Sequence, residues 1–351
     1  MAVGSLLAAV LVSFIGTYFI TPKFILFLEK IGLVGIDQQK PTKPKIAEMG
    51  GPAILFGFLG GIFFFLWLRI FLFGGFDQLI EILAGILTIL IITLVGMFDD
   101  LGGLIKLRAR EFTGNEKRIG LKQWQKPLLT FVAAIPLMAT MSGVSEMAVP
   151  FVGRVDFGIF YPLIFIPIGI VGASNATNML AGINGLEAGL GIVLLSGLGA
   201  YAWLFGRIPA AVISFIMVAA LLAFLRWNWY PSKIFPGDST TYLIGATAAV
   251  VAIVGNIEKF AIFCFIPWFI ELLLKLRSRF KANSFGEIQN DGSLKPPYRK
   301  IYSLTHVVMS MGRFNEKQVA GILIFMEGIF IIIGILIFYF GVFDGLKFIL
   351  P

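Results

Sequence analysis

The sequence is poor in charged residues and nearly lacks cysteine and histidine. Of its 351 residues, 14% are Asp, Glu, Lys or Arg, whereas 58% are hydrophobic. Soluble domains carry about a quarter charged residues, so these charges are too few to cover a soluble surface. The single cysteine, Cys264, excludes a disulfide framework and a cysteine zinc site. The one histidine, His306, cannot form a histidine cluster, and we interpret it as a structural residue.

Long apolar runs divide the chain into about ten segments of roughly bilayer-spanning length. They lie at residues 4–28, 52–73, 78–98, 127–142, 158–174, 187–205, 209–225, 239–255, 258–275 and 318–343. The first run lacks a basic leader and is longer than the apolar part of a signal peptide, so it counts as a span. With a mean hydropathy of +0.91, the chain is predicted to be an all-α integral membrane protein, with residues 1–351 in a single domain.

Lysine and arginine are concentrated in alternate connections, and this pattern predicts the orientation. The connections at residues 21–51, 99–126, 175–186, 226–238 and 275–317 hold 23 of the 28 basic residues. Because cytoplasmic loops carry such an excess, we expect these connections in the cytoplasm and both termini outside. One outer connection, from Gly143 to Gly158, alternates apolar and polar residues and predicts a short β-hairpin.

The third run ends in two adjacent carboxylates, Asp99 and Asp100. Neighbouring helical residues point about 100° apart, so the two cannot share one task on one face. One could meet a metal or a reacting proton while the other orients a cation. The alternative is that both pair with Lys106, Arg108 or Arg110 at the membrane interface.

The connection at residues 175–186 and the first residue of the next run are polar at a depth where lipid favours apolar residues. Together they hold Asn175, Asn178, Asn184 and Glu187, with two glycines. Asn175 and Asn178 are three residues apart and fall on one helical face, so their oxygens can converge on a cation or a phosphate. The alternative is amide hydrogen bonding between helices that the glycines allow to pack closely.

A further motif, Phe235-Pro236-Gly237-Asp238, leads into the eighth run. Asp238 lies where a helix is expected to begin, so it is either an N-cap or a functional carboxylate. Phe235 either packs in the core or stacks on a planar base.

Three basic residues could contact phosphate. Arg277 and Arg279 are two residues apart, a spacing that puts both on one side of an extended strand and suits a forked grip on phosphate. The alternative is a positive anchor at the membrane surface. Lys126 precedes the fourth run near the aspartates and could bind an anion. Carboxylates, amides and cations at one membrane face together describe a site for Mg²⁺ and phosphates, with a lipid as the second substrate.

In this order, the motifs resemble those of the polyprenyl-phosphate N-acetylhexosamine-1-phosphate transferases. The resemblance covers nearly the whole chain and lies in the segments 43–51, 99–100, 175–187, 235–238 and 277–279. It is strongest to the tunicamycin-sensitive, dolichyl-phosphate branch of archaea and eukaryotes. Bacterial muramoyl-pentapeptide transferases usually have two aspartates where this chain has Ala181 and Asn184, and they carry a histidine cluster, so a peptidoglycan role is disfavoured.

The resemblance implies transfer of a sugar 1-phosphate from a UDP-N-acetylhexosamine, with UDP-N-acetylglucosamine (UDP-GlcNAc) favoured, to a polyisoprenyl phosphate, releasing UMP. It implies Mg²⁺, or Mn²⁺ in its place, held by Asn178 and Asp238. The implied substrate contacts are Glu48 and Asn184 for the nucleoside, Phe235 for the uracil ring, and Arg277 and Arg279 for the diphosphate.

The resemblance implies three catalytic residues, Asp99, Asp100 and Lys126, of which Lys126 contacts a phosphate. Asp99 is either a base for the lipid phosphate or an organiser of Lys126 and the metal. A phosphate monoester with a second pKa near 6 is already mostly ionised at neutral pH, which favours the organiser.

A polytopic transporter is the alternative from a different class. A carrier places its polar residues near the midplane, whereas these lie at cytoplasmic span ends. We expect no nucleic-acid partner, because the excess of basic residues is explained by their enrichment in cytoplasmic loops and by the binding of anionic ligands. An archaeal plasma membrane is the favoured location, with the endoplasmic reticulum expected for a eukaryotic chain. The sugar, the prenyl length and the choice between monomer and homodimer stay open.

Overall fold

A computed structural model describes residues 2–113, 125–149 and 153–340, with side chains described for 3–103, 128–147 and 153–338. The helices are α1 (Ala2–Ile31), α2 (Gly51–Trp67), α3 (Leu79–Thr113), α4 (Gln125–Val132), α5 (Ile135–Ala139), α6 (Ile166–Met179), α7 (Leu186–Leu204), α8 (Ile208–Asn228), α9 (Gly237–Gly255), α10 (Glu258–Cys264), α11 (Ile266–Arg277), α12 (Leu304–Met311) and α13 (Glu316–Phe340). The strands are β1 (Val34–Ile36), β2 (Lys45–Glu48), β3 (Glu146–Val149), β4 (Gly153–Asp156), β5 (Ile234–Phe235), β6 (Glu287–Ile288) and β7 (Leu294–Lys295).

The apolar runs coincide with helices, which confirms the predicted all-α membrane fold. Within the described ranges, eight helices are long and apolar enough to cross a membrane. The other two predicted spans are broken, one into α4 and α5 and the other into α10 and α11. Pro136 and Pro267 lie in the first turns of α5 and α11. Because proline has no backbone N–H to donate, it interrupts a continuous helix at these places.

Helix α9 lies at the centre of the bundle, and α3 and α6 pack directly against it. Two glycines make this close packing possible. A Cβ added at Gly96 of α3 would lie 2.6 Å from the Cα of Ser239, and one added at Gly245 of α9 would lie 2.4 Å from the carbonyl oxygen of Ala173. The part of α3 that carries Asp99 and Asp100 is therefore held against the polar ends of α6 and α9, although α3 itself continues past the predicted end of the run to Thr113.

Three small sheets lie in the described connections, one of them the antiparallel pair of β6 and β7. Strands β3 and β4 pair antiparallel, with Glu146 opposite Asp156, and this pairing confirms the predicted hairpin in the Gly143 to Gly158 connection. At the other end of the bundle, β2 pairs antiparallel with β1 and parallel with β5. This sheet places Glu48 directly beside Phe235, although the two are far apart in sequence.

Candidate active site

Asp100 caps the N-terminus of α9. Its Oδ1 accepts a hydrogen bond from the backbone N–H of Asp238 at 2.6 Å, and its Oδ2 accepts one from Ser239 at 3.1 Å. Gly237 allows this approach, because its φ is +70° and a Cβ there would lie 2.5 Å from Asp100 Oδ2. A carboxylate at a helix N-terminus also satisfies backbone donors that have no partner within the helix. Both oxygens of Asp100 thus hold the first turn of α9, one through Asp238 and one through Ser239.

Asp99 lies one residue earlier and is also buried. Its backbone position places its side chain about 100° around the helix from the capping carboxylate, as the sequence predicts. The side chain of Lys126 lies outside the described residues, as do those of Lys106, Arg108 and Arg110. The proposed contact of Asp99 with Lys126 and the alternative interfacial pairs therefore stay predictions.

The hydroxyl group of Thr241 lies between Asn178 and the backbone of Asp238. Thr241 donates its Oγ1 hydrogen either to Oδ1 of Asn178, at 3.1 Å, or to the carbonyl oxygen of Asp238, at 3.1 Å. Thr177, next to Asn178, donates to the carbonyl oxygen of Thr241 at 2.7 Å. These bonds tie the end of α6 to the first turn of α9, so the two residues predicted to bind the metal belong to adjoining segments.

Glu48, on β2, lies close enough to Asp238 for their charges to interact. Burial raises the pKa of the Glu48 carboxyl above its usual value, and the negative charge of Asp238 raises it further. Phe235, paired with Glu48 in the sheet, is half-buried. A Cβ added at Gly35 of β1 would contact both side chains, so the small residue leaves room for them. The predicted nucleoside contacts Glu48 and Phe235 are thereby neighbours of Asp238.

The oxygen ligands at this site suit a hard cation that is also bound by substrate and water oxygens. Asn178 and Asp238 offer oxygen ligands, and a second carboxyl group, that of Glu48, lies near enough for the charge of Asp238 to add to burial in raising its pKa. Among the described residues, no group of three or more His, Cys, Asp and Glu side chains forms a complete metal cage. Magnesium is typically bound by one or two protein oxygens plus substrate phosphates, which matches this set.

Asn184 is buried and held by two acidic residues. Its Nδ2 donates to Oδ2 of Asp37 at 3.1 Å, and its backbone N–H donates to Oε1 of Glu316 at 3.0 Å. Within the same segment, Oε1 of Glu187 accepts from the backbone N–H of Gly182 at 2.7 Å. The segment 180–187 is therefore fixed both internally and to two distant parts of the chain.

Arg277 and Arg279 do not lie on the predicted extended strand, and that expectation is wrong. Arg277 is the last residue of α11, and Arg279 follows in a tight turn with φ +52°. The backbone N–H of Arg279 bonds to the carbonyl oxygen of Leu276 at 2.9 Å, which closes the helix end. Both arginines are exposed, and neither lines the cavity described next.

An apolar cavity of about 920 Å³ runs between α6, α9, α10 and α11. Asn175, Asn178 and Phe280 line one end of it, while Tyr161 and Glu258 line the other. The lining of α9 extends from Tyr242 to Ile253, which is about 16 Å along the helix. The cavity can hold a long apolar chain with its polar head beside Asn178.

Several of these arrangements were not predicted from the sequence. Thr241 lies three residues after Asp238, on the same helical face, and that spacing is a signal by which it could have been found. No local pattern links Asp37 to Asn184, which lies 147 residues later. The apolar cavity likewise has no signature, because its walls have the same composition as lipid-facing helices.

Comparison with known proteins gives consistent matches. Residues 82–256 match the model of glycosyl transferase family 4. The chain is 38% identical, over 96% of its length and 98% of the relative's, to a Saccharolobus solfataricus protein that carries the name UDP-N-acetylglucosamine–dolichyl-phosphate N-acetylglucosaminephosphotransferase. It is 26% identical to the Dictyostelium discoideum protein of that name, over 89% of this chain and 83% of the relative. It is 30% identical to the phospho-N-acetylmuramoyl-pentapeptide-transferase of Halalkalibacterium halodurans, over 72% of this chain and 76% of the relative.

Proposed function

This chain belongs to glycosyl transferase family 4, and from that membership and its site we propose that it transfers N-acetylglucosamine 1-phosphate from UDP-GlcNAc to a polyisoprenyl phosphate of the dolichyl type. The products are an N-acetylglucosamine-diphosphate lipid and UMP. The single observation that carries the proposal is the junction of a polar, oxygen-rich site at Asn178 and Asp238 with a long apolar cavity. One end suits a nucleotide sugar and the other suits a prenyl chain.

The acceptor lipid occupies the apolar cavity in this proposal. Its phosphate would lie near Asn175, Asn178 and Phe280, and its chain would extend between α6 and α9 towards Tyr161. Lipid tails are as apolar as the cavity wall, so moving the chain from the bilayer into the cavity brings little hydrophobic gain. The contribution of the cavity is therefore alignment of the acceptor phosphate with the donor.

The donor lies against the small sheet. Phe235 supplies a ring face for uracil, Glu48 lies beside it, and Asn184 belongs to the segment that follows α6. Exposed Arg277 and Arg279 are free to turn towards the diphosphate, a role consistent with charge-assisted binding. The base of the donor and its diphosphate would then lie on opposite sides of Asp238.

The reaction is a single displacement. An oxygen of the acceptor phosphate forms a bond to the β-phosphorus of UDP-GlcNAc, the bond to the α-phosphate bridging oxygen breaks, and UMP leaves. A bound Mg²⁺, or Mn²⁺, supplies charge neutralisation to the diphosphate. Asp100 accepts one backbone hydrogen bond from Asp238 and one from Ser239, which holds the first turn of α9, and Thr241 donates to Oδ1 of Asn178, so these residues are held before substrate arrives.

Asp99 acts as an organiser in this mechanism. The acceptor phosphate needs no base at neutral pH, because its second pKa is near 6. A buried carboxylate within α3 can instead orient a cation such as Lys126, the residue that the family resemblance assigns to a phosphate. We place this site on the cytoplasmic face of a plasma membrane, following the distribution of basic residues.

The test is UMP release by the purified protein with matched substrates. UDP-GlcNAc, UDP-N-acetylgalactosamine and UDP-N-acetylmuramoyl-pentapeptide are each combined with a polyprenyl phosphate and with dolichyl phosphate, with and without Mg²⁺. The expected result is Mg²⁺-dependent UMP release that is fastest with UDP-GlcNAc and dolichyl phosphate. Preference for the pentapeptide donor would assign the chain to the muramoyl branch, and no UMP release with any pair would overturn the proposal.

A further inference from the structure

Outside the residues that surround Asp238, a buried ionic cluster lies at the same end of the bundle. We call it the Lys40 cluster, and it consists of Asp37, Lys40, Asn184, Tyr230 and Glu316. The Lys40 ammonium lies 3.1 Å from Oδ2 of Asp37 and also bonds to Oε2 of Glu316. The same ammonium lies 4.3 Å from the ring centroid of Tyr230. The side chains of Asp37, Lys40 and Glu316 are only 5%, 11% and 3% exposed, so this is not a surface ion pair.

The cluster joins segments that are remote in sequence. Asp37 directly follows β1, Asn184 lies between α6 and α7, Tyr230 precedes β5, and Glu316 begins α13. Neighbouring Gln39 adds two more links, because its Nε2 donates to the carbonyl oxygen of Gly182 at 2.8 Å and its Oε1 accepts from the N–H of Gly286 at 3.2 Å. Four of the connections at this end of the bundle therefore meet at one point.

Asp37 is the centre of the hydrogen bonding. Its Oδ2 accepts from Asn184 Nδ2 at 3.1 Å and from Lys40, and its Oδ1 accepts from the N–H of Gln39 at 3.2 Å. These bonds fix the amide orientation of Asn184, since only the amide NH₂ can face the carboxylate. They also fix the end of β1, whose sheet carries Glu48 and Phe235.

A buried ion pair is a weak source of stability, because the cost of removing two charges from water offsets their attraction. Such a cluster is better explained by what it positions. Its links run to the sheet of Glu48 and Phe235 and to the segment of Asn184. Asn175 and Asn178 line the apolar cavity, and the residues of the Lys40 cluster do not.

We propose that Asp37 is a positioning residue for the nucleotide-sugar donor, acting through Asn184 and supported by Lys40 and Glu316. This inference rests on the proposed function, because it takes the donor to lie between the sheet and the Asn184 segment. It predicts an effect on donor affinity and none on acceptor affinity.

The test is a double-mutant cycle with Asp37→Asn and Asn184→Ala. Asparagine keeps the size of Asp37 and leaves Lys40 paired with Glu316, but its single acceptor oxygen cannot serve the three donors that Asp37 serves. UDP binding is measured by calorimetry, and KM is measured separately for UDP-GlcNAc and for the lipid phosphate. Lys30→Met is the matched control, because Lys30 is an exposed cation at the end of α1.

Each single variant should weaken UDP binding and raise the donor KM by about tenfold, the factor for one charge-assisted hydrogen bond, with the acceptor KM unchanged. The double variant should match Asn184→Ala alone, because Asp37 acts through Asn184. Additive effects, or equal changes in the donor and acceptor KM, would assign the cluster a merely structural role and overturn the inference. If Asp37→Asn does not fold, Asp37→Ser enters the same cycle. Failure of the wild-type protein to bind UDP would overturn the proposed function instead.

Discussion

Replacing Asp100 by asparagine tests whether Asp100 positions Asp238 or takes part directly in the reaction. The side chains have the same shape, but the amide keeps one acceptor oxygen and turns an NH₂ group towards the second backbone donor. Either the 2.6 Å bond from Asp238 N–H or the 3.1 Å bond from Ser239 N–H is lost. Because Asp238 is the first residue after Gly237 in α9, its carboxylate loses its fixed place.

The size of the effect follows from these contacts. One hydrogen bond to a charged group contributes about 1.5–3 kcal/mol. A negative charge at a helix N-terminus contributes about 0.3–1 kcal/mol more. The total of about 2–4 kcal/mol corresponds to a loss of turnover of about 30- to 1,000-fold if all of it falls on the placement of Asp238. The same loss should lower the unfolding temperature by several degrees.

Both quantities can be measured on one preparation. Turnover is followed by UMP release, and unfolding by the thermal shift of the purified protein in detergent. Asp99→Asn is the matched control for the unfolding temperature alone, since it removes the same charge one residue earlier without touching the cap of α9, and its own turnover is expected to fall. Asp100→Asn with lost turnover and a wild-type unfolding temperature would refute the capping argument and favour a direct part for Asp100 in the reaction.

Three further predictions address the metal, the cavity and the base. Thr241→Val should raise the Mg²⁺ concentration needed for half-maximal turnover several-fold, because it removes the hydroxyl group that donates to Oδ1 of Asn178. Thr241→Ser keeps the hydroxyl group and should leave that concentration unchanged. The same Mg²⁺ dependence in both variants would contradict this role of Thr241. Ala249→Trp should fill the cavity and raise the acceptor KM with UDP binding unchanged, whereas Leu222→Trp, on a lipid-exposed face, should change neither. Asp99→Asn should lose the same fraction of turnover across about pH 6 to 9, since the lipid phosphate ionises near pH 6; recovery towards wild type as pH rises would restore Asp99 as the base.

The errors of sequence interpretation have local causes. The spacing of Arg277 and Arg279 suggested a strand, but α11 continues to Arg277 and ends in a turn whose residues Arg279 and Phe280 both have positive φ. Neither is glycine, so the usual signal of a left-handed helix end is missing. The runs at residues 127–142 and 258–275 were likewise predicted as continuous spans, and both are broken near a proline, Pro136 or Pro267, whereas α1 continues through Pro22.

The amino-acid sequence by itself determined the membrane fold, the β-hairpin of β3 and β4, and the motifs that carry the family resemblance. These features depend on local patterns, because a membrane-spanning helix requires a long apolar run and a tight turn requires particular residue types. Only the tertiary structure decided that Asp100 caps α9 across 138 residues of sequence, that Asp37 holds Asn184 and that an apolar cavity meets the polar site. Such contacts depend on how the helices pack. The sequence around an aspartate, asparagine or alanine carries no local signal for the distant residue that it will contact.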